Sequence, residues 1–216
     1  APAEEQSGAG HSLTLNRPVR LQQFGDRRFA VTGTPTDAVN FALRRLFDSP
    51  PDLVISGINN GENLADDITY SGTISAAMEG ALAGIPAIAL SQAQRSGGNG
   101  FAAAEGWAVK VLQPLLDMQM ARRTLININF PALPASDVRG IRVARQGFHD
   151  YARGSIVEGT DSRGRPYYWF GLEDVEHTLD HGTDLEAVGD GYISVTPLQV
   201  DLTDHAAIGQ LAGRFG

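Results

Sequence analysis

Three short apolar runs constrain this chain most: "DLVIS" at 52–56, "AIALS" at 87–91 and "TLININF" at 124–130. Each is long enough for a strand and too short for a helix. "DLVIS" is apolar almost without interruption, as expected of a strand covered on both faces. Between the runs stand two segments with helical character, "TISAAMEGALAGI" and "FAAAEGWAVKVLQPLL". A helix between two strands carries the chain back across the sheet, so the strands pair in parallel. The pattern predicts an α/β fold, a Rossmann-like, doubly wound and mostly parallel sheet. An earlier helix is expected in "GTPTDAVNFALRRLF", with Thr36 as N-cap, Ala38, Val39, Ala42, Leu43 and Leu46 at helical spacing, and Pro50-Pro51 as its stop. "SLTLNRPVRLQQF" and "RRFAVTG" alternate apolar and polar residues and read as strands about a turn at Gly25-Asp26.

The rhythm changes after Pro131. "IRVARQGF", "YYWFG" and "GYISVTPL" are strand-like, "DLEAV" offers a short helix, and "DLTDHAAIGQLAGRF" is amphipathic enough for a terminal helix. The expected division is a core over residues 1–132 and a C-terminal extension over 133–216. That extension would be a β-rich arm with a terminal helix, used in oligomerisation. The chain opens on Ala1 in "APAEEQSGAG", a small, polar start with no strand or helix before it, and so reads like the middle of a protein.

Charge and composition remove several function classes. With 17 basic against 25 acidic residues the formal net charge is −8. That balance argues against sequence-independent binding of a nucleic-acid polymer, which needs a concentrated basic surface. A small anionic substrate remains compatible if a metal supplies local positive charge. There is no cysteine, hence no thiolate ligand or thiol nucleophile in these 216 residues. No apolar run approaches the ~18 residues of a membrane span. The N-terminus lacks the basic-then-apolar pattern of a secretory signal, so a cytoplasmic location is expected.

The polar residues with chemical potential gather where an open parallel sheet binds ligands, outside the carboxyl ends of its strands. The loop from Gly57 to Asn63 follows "DLVIS". Its glycines allow close approach to a ligand, and its Asn side chains can donate to phosphate or offer a neutral oxygen to a hard cation. Ser71-Gly72-Thr73 precede the helix "ISAAMEG", where free N–H groups and the helix dipole suit an anion. "QSGAGHS" at 6–12 is a second loop of small residues, and His11 is the most interesting isolated histidine because it lies there. Each feature has a plainer reading as well. Asn and Gly form turns, Ser71 or Thr73 can simply cap a helix, and Asp66-Asp67 can sit solvated in a first helical turn. His177 and His181 have a metal-friendly spacing but no helical apolar stripe around them. No HExxH, GxSxG, P-loop or GxGxxG occurs.

The order of segments carries a resemblance. "APAEEQSGAGHSLTL", "GTPTDAV", "PDLVISGINNGENLADDITYSGTISAAMEG", "GIPAIALS", "LININFP" and "GTDLEAVGDGYISVTPLQVDLT" follow one another over residues 1 to about 206 as they do in the SurE family. These are the stationary-phase survival proteins, metal-dependent 5′-nucleotidases that also act on other phosphomonoesters. SGIN-x-G-x-N followed by YSGT-x-x-A-A-x-E-G is the specific part of the match.

The resemblance implies one divalent metal ion per subunit, Mg²⁺ or Mn²⁺, with Ser7 and Asn59 among its ligands. It implies a phosphate pocket lined by Asn63, Ser71, Gly72 and Thr73, with Gly8 as a backbone contact. The substrate implied is a nucleoside monophosphate or another small phosphomonoester, the attacking group a metal-bound water, and the assembly a homodimer or homotetramer. In one respect the sequence departs from the pattern. The family's other two ligands are an Asp-Asp pair just after the first strand, expected upstream of Ala1 with about 30 residues of strand and helix. Asp66-Asp67 match a different, loop position and do not replace that pair. A chain without the pair would be a non-catalytic nucleotide-binding module or an oligomeric scaffold, the alternatives to a nucleotidase.

Overall fold

The computed structural model describes residues 1–94, 100–149, 155–171 and 181–215. β1 (Leu21–Gly25) and β2 (Arg28–Val31) form an antiparallel hairpin. α1 (Pro35–Phe41) follows, extended by one π-helical segment over Ala42–Leu46. β3 (Val54–Asn60), α2 (Gly72–Leu82), β4 (Ala87–Gln92), α3 (Ala102–Leu116) and β5 (Thr124–Phe130) then alternate. After β6 (Ile141–Val143) come the hairpin of β7 (Ser155–Thr160) and β8 (Pro166–Gly171), the short α4 (Asp184–Gly189), β9 (Ile193–Gln199) and α5 (His205–Phe215).

The central sheet has five strands in the order β3-β4-β5-β9-β6. β3, β4 and β5 are parallel, β9 runs antiparallel to β5, and β6 pairs in parallel with β9. The architecture is the α/β, mostly parallel sheet expected from the alternation. β6 and β9 belong to this sheet although they follow residue 132, where the sequence suggests an arm. Pro197 fits within β9 because β6 pairs only as far as Val195, so that β9 runs as an edge there.

Several local expectations are corrected. The cap of α1 is Thr34, not Thr36: Thr34 accepts from Asp37 N, while the Asp37 side chain accepts from Thr34 N. Pro35 occupies the first helical position, where its missing N–H costs nothing, so the helix starts two residues earlier. Leu13 to Arg20 are not strand. The ladder begins at Leu21, and Leu15 is 87% exposed. β3 does not stop at Ser56: a bulge at Gly57-Ile58 shifts its register, and pairing resumes at Asn59↔Ser91 and Asn60↔Gln92.

Alternation along the strands divides the core. Ile126, Ile128 and Phe130 of β5 face α3, joined by Ile88, Leu90 and Ile193. On the other face Ala87, Ala89, Leu125 and Leu198 pack under Ile74, Ala77 and Ala81 of α2. Toward the carboxyl ends of β4 and β5 that second face turns polar, with Ser91, Asn127 and Asn129 all buried. Asn127 and Asn129 stand opposite Thr196 and Ser194 of β9, which are buried as well. An apolar core does not need these groups there, so the polar floor points to whatever lies above it.

Candidate active site

Above the floor lies the segment from Gly61 to Ser71, and Asn63 fastens it down. The backbone N–H of Asn63 donates to Asn129 Oδ1 at 2.8 Å, and its carbonyl accepts from Asn127 Nδ2 at 2.8 Å and Asn129 Nδ2 at 3.1 Å. Its side-chain amide bonds Ser91 Oγ at 2.7 Å. A buried backbone segment outside a ladder must find such partners, and "ININ" supplies them by placing an Asn at every second position of β5. Ser91, Asn127 and Asn129 do not figure among the sites read from the sequence. The signal was the alternation of Asn with Ile in an otherwise core-like strand.

Asn59 reaches the same place from the side. The bulge that re-aims it requires Gly57, whose φ is +116° and where a Cβ would run into the Leu90 carbonyl oxygen. Asn59 then stands beside Ser91 and is half-buried, with its Nδ2 donating to Gly61 O at 2.9 Å. That bond uses one of the amide's two N–H donors and leaves Oδ1, a neutral oxygen, as an available acceptor.

From Asn63 a 3-10 turn, Ala65–Thr69, leads to α2. Ser71 caps α2 by accepting from Ile74 N at 3.1 Å, which is the plainer of its two readings. The N–H groups of Gly72 and Thr73 come next in a first turn without acidic side chains. The 6–12 loop lies against this turn: Gly10 N donates to Tyr70 O at 2.9 Å. Gly72 is the close-packed point, since a Cβ there would sit 2.7 Å from Pro35 Cγ and 3.6 Å from Gln6 O. Ser7 and Gly8 are exposed beside it, and Ser7 Oγ donates to Glu5 at 3.1 Å. The structure therefore groups Asn59 and Asn63 about Ser91, and brings the loop that carries Ser7 and Gly8 against Tyr70 and Gly72 through Gly10 and Gln6. The 3-10 turn joins the two groups.

Asp66 and Asp67 are occupied otherwise. Asp66 accepts from His149 N at 2.8 Å, and Asp67 pairs with His149 Nε2 at 3.1 Å. With Gln146 donating to Ala65 O, they tie the 146–149 segment to the 3-10 turn. Asp184, fully buried, closes the same joint by accepting from the N–H groups of Ala65, Gly147 and Leu185. His181 bonds Glu186 at 2.9 Å, and His177 lies outside the described residues. A mostly apolar cleft of about 400 Å³ between α1 and β3 includes none of these polar residues.

The donor set also bears on metals. Asn59 Oδ1 and Ser7 Oγ are hard, neutral oxygens that suit Mg²⁺ or Mn²⁺ better than a soft ion. Among the described residues no three His, Asp or Glu side chains cluster to hold a metal. Each of the two oxygens is thus of the kind that such an ion accepts beside carboxylate ligands.

The family model of "Survival protein SurE" matches residues 1–153, more than two thirds of the chain and the whole stretch from Ser7 to Asn129. The chain belongs to the SurE family. Similar SurE proteins include the "5'-nucleotidase SurE" of Erythrobacter litoralis, 62% identical over all of this chain and 86% of that protein. The protein of the same name from Rhizorhabdus wittichii is 57% identical over 96% of this chain and 84% of its own length. Among solved structures, the SurE protein of Aquifex aeolicus superposes with a TM-score of 0.86 at 38% identity, covering all of this chain and 87% of that one.

Proposed function

We infer that this chain is a 5′-nucleotidase, a metal-dependent hydrolase that releases phosphate from nucleoside 5′-monophosphates. The observation that carries the reading is the packing of the 6–12 loop on the start of α2, beside the Asn59–Asn63 group, in a chain 62% identical throughout to a protein of that activity.

In this reading the phosphate sits at the N-terminus of α2. Gly72 N–H and Thr73 N–H donate to its oxygens, aided by the helix dipole, and the Thr73 hydroxyl adds a third donor. Ser71 contributes by fixing that turn through its cap. Asn63 holds the floor, and its amide can be turned by 180° against the Ser91 hydroxyl without losing the bond, which directs Nδ2 to the open side. Gly8 offers a backbone N–H from the facing loop. These donors address the equatorial oxygens, where charge resides in the transition state of phosphoryl transfer. Ser7 and Asn59 are the neutral ligands of the metal. A bound divalent cation supplies polarisation of the phosphoryl group and a water of lowered pKa.

The assembly we propose is a homodimer or homotetramer built through the region after residue 132. The β7–β8 hairpin exposes Ile156, Val157, Tyr168 and Trp169, and α5 exposes Leu211 and Phe215. No helix among the described residues is long and apolar enough to cross a membrane, and a cytoplasmic location is part of the proposal. The test is phosphate release from a nucleoside 5′-monophosphate by the full-length protein with Mn²⁺ or Mg²⁺. We expect turnover that stops on addition of a chelator and returns with excess metal. Binding of the nucleotide without phosphate release would instead favour a non-catalytic module.

A further inference from the structure

The 6–12 loop is unusual in how it is held. Its neighbouring apolar residues do not anchor it, since Leu13 is 50% exposed and Leu15 more so. A few polar bonds fix it: Gly10 N to Tyr70 O, Ser12 O from the Thr34 hydroxyl, and Thr14 to the Asp37 carboxylate. The remaining tie is His11 Nε2 to Glu79 Oε1, at 2.6 Å. Glu79 lies two turns into α2 and its side chain is only 13% exposed. Its other oxygen accepts from Asn40 Nδ2 of α1, and Asn40 Oδ1 accepts in turn from Arg44 Nε at 3.2 Å. The Arg44–Asn40–Glu79–His11 chain therefore runs from α1 across α2 to the loop, each group orienting the next.

Exposed ion pairs usually matter little. This one differs because the carboxylate is sheltered and both its oxygens are used, so losing His11 leaves a shielded acceptor without its partner. It also differs in leverage. His11 is four residues from Ser7 and three from Gly8, on a loop with no apolar anchor. We propose that His11 and Glu79 are positioning residues for the nucleotidase site: their bond pins the 6–12 loop on α2 so that Ser7 and Gly8 face the phosphate turn at Gly72-Thr73. The proposal rests on the nucleotidase reading for its catalytic consequence and on the loop's geometry alone for its structural one.

Both consequences are measurable in the full-length protein with His11→Leu and His11→Gln. The Gln amide nitrogen sits where His Nε2 does and can donate to Glu79, whereas Leu cannot. Amide hydrogen exchange of residues 6–12, followed without metal, is expected to speed up about tenfold or more in His11→Leu and stay near wild type in His11→Gln. With Mn²⁺ and a nucleoside 5′-monophosphate, His11→Leu is expected to lose about tenfold in kcat/KM and to need more Mn²⁺ for half-maximal rate, with His11→Gln restoring both. A pair that only stabilised the fold would lower Tm and leave the Mn²⁺ requirement of the folded protein unchanged. Wild-type exchange and kinetics in His11→Leu would overturn the proposal, as would a His11→Gln protein as impaired as His11→Leu. Should His11→Leu fail to fold, His11→Gln still decides, because wild-type exchange at 6–12 is required of it. Absence of any turnover in the wild type would strike the nucleotidase reading, while the exchange result would still judge the clamp.

Discussion

The two halves of the site are held by different physics. Asn59 belongs to β3 itself, and Asn63 and the start of the 3-10 turn are bonded to groups that are themselves buried: Ser91, Asn127, Asn129 and Asp184. Ser7 and Gly8 ride on an exposed loop attached by hydrogen bonds at its rim. The first half is inseparable from the fold, so damage there should appear as lost stability. The second can loosen while the sheet stays intact, so damage there should appear as lost local order and function.

Asp184→Ala is the severest way to break that contrast. It orphans the N–H groups of Ala65 and Gly147 beneath the 3-10 turn and removes the Leu185 bond, for a cost of roughly 3–4 kcal/mol in denaturant unfolding. Asn129→Leu comes next, at roughly 2–3 kcal/mol, because it strips an acceptor and a donor from the buried Asn63 backbone. A loss under 0.5 kcal/mol in either variant would show that the polar floor does not hold the loop.

On the loop side, Asp37 gives a pH handle. Burial alone would raise its carboxyl pKa, but hydrogen bonds from Thr14 and Thr34 outweigh burial and hold it below the ordinary carboxylate range. A depressed folded-state pKa means the stabilisation is complete above the unfolded value of about 3.9 and is lost as pH falls through the folded one. Thr14→Val should remove part of this, costing about 1–2 kcal/mol at neutral pH and flattening the acid side of the stability curve. An unchanged acid limb would contradict the Thr14–Asp37 tie. Smallest is Ser71→Ala at the junction of the halves, at about 1 kcal/mol for the lost cap, read as a lower Tm.

Legibility in the sequence follows the same contrast. The α/β alternation could be read directly, because strands buried on both faces, as β4 and β5 are, write themselves as short apolar runs between helical segments. "DLVIS" misleads on this point: β3 is the outer strand of the described sheet, with Val54 its one buried residue and Ile55 47% exposed. The polar floor was less visible: alternating Asn in "LININF" matters only once the 61–71 segment is known to lie over it. The Thr34 cap was legible from Thr-Pro-x-Asp, where proline at the first helical position outranks a second threonine. Asp66-Asp67 drew the eye as a pair of carboxylates, yet their partner, His149, is more than 80 residues away. Nothing local announces such a contact. β9 was hardest, since placing "GYISVTPL" beside β5 depends on a crossover that no periodicity encodes.

The central claim is that Asn59 and not the Asp66-Asp67 pair serves the metal. Turnover of a nucleoside 5′-monophosphate with saturating Mn²⁺, in Asn59→Ala and Asp67→Asn side by side, tests it most directly. The account predicts a loss on the order of 100-fold or more for Asn59→Ala and near wild-type turnover for Asp67→Asn. Full activity in Asn59→Ala with a dead Asp67→Asn would contradict it.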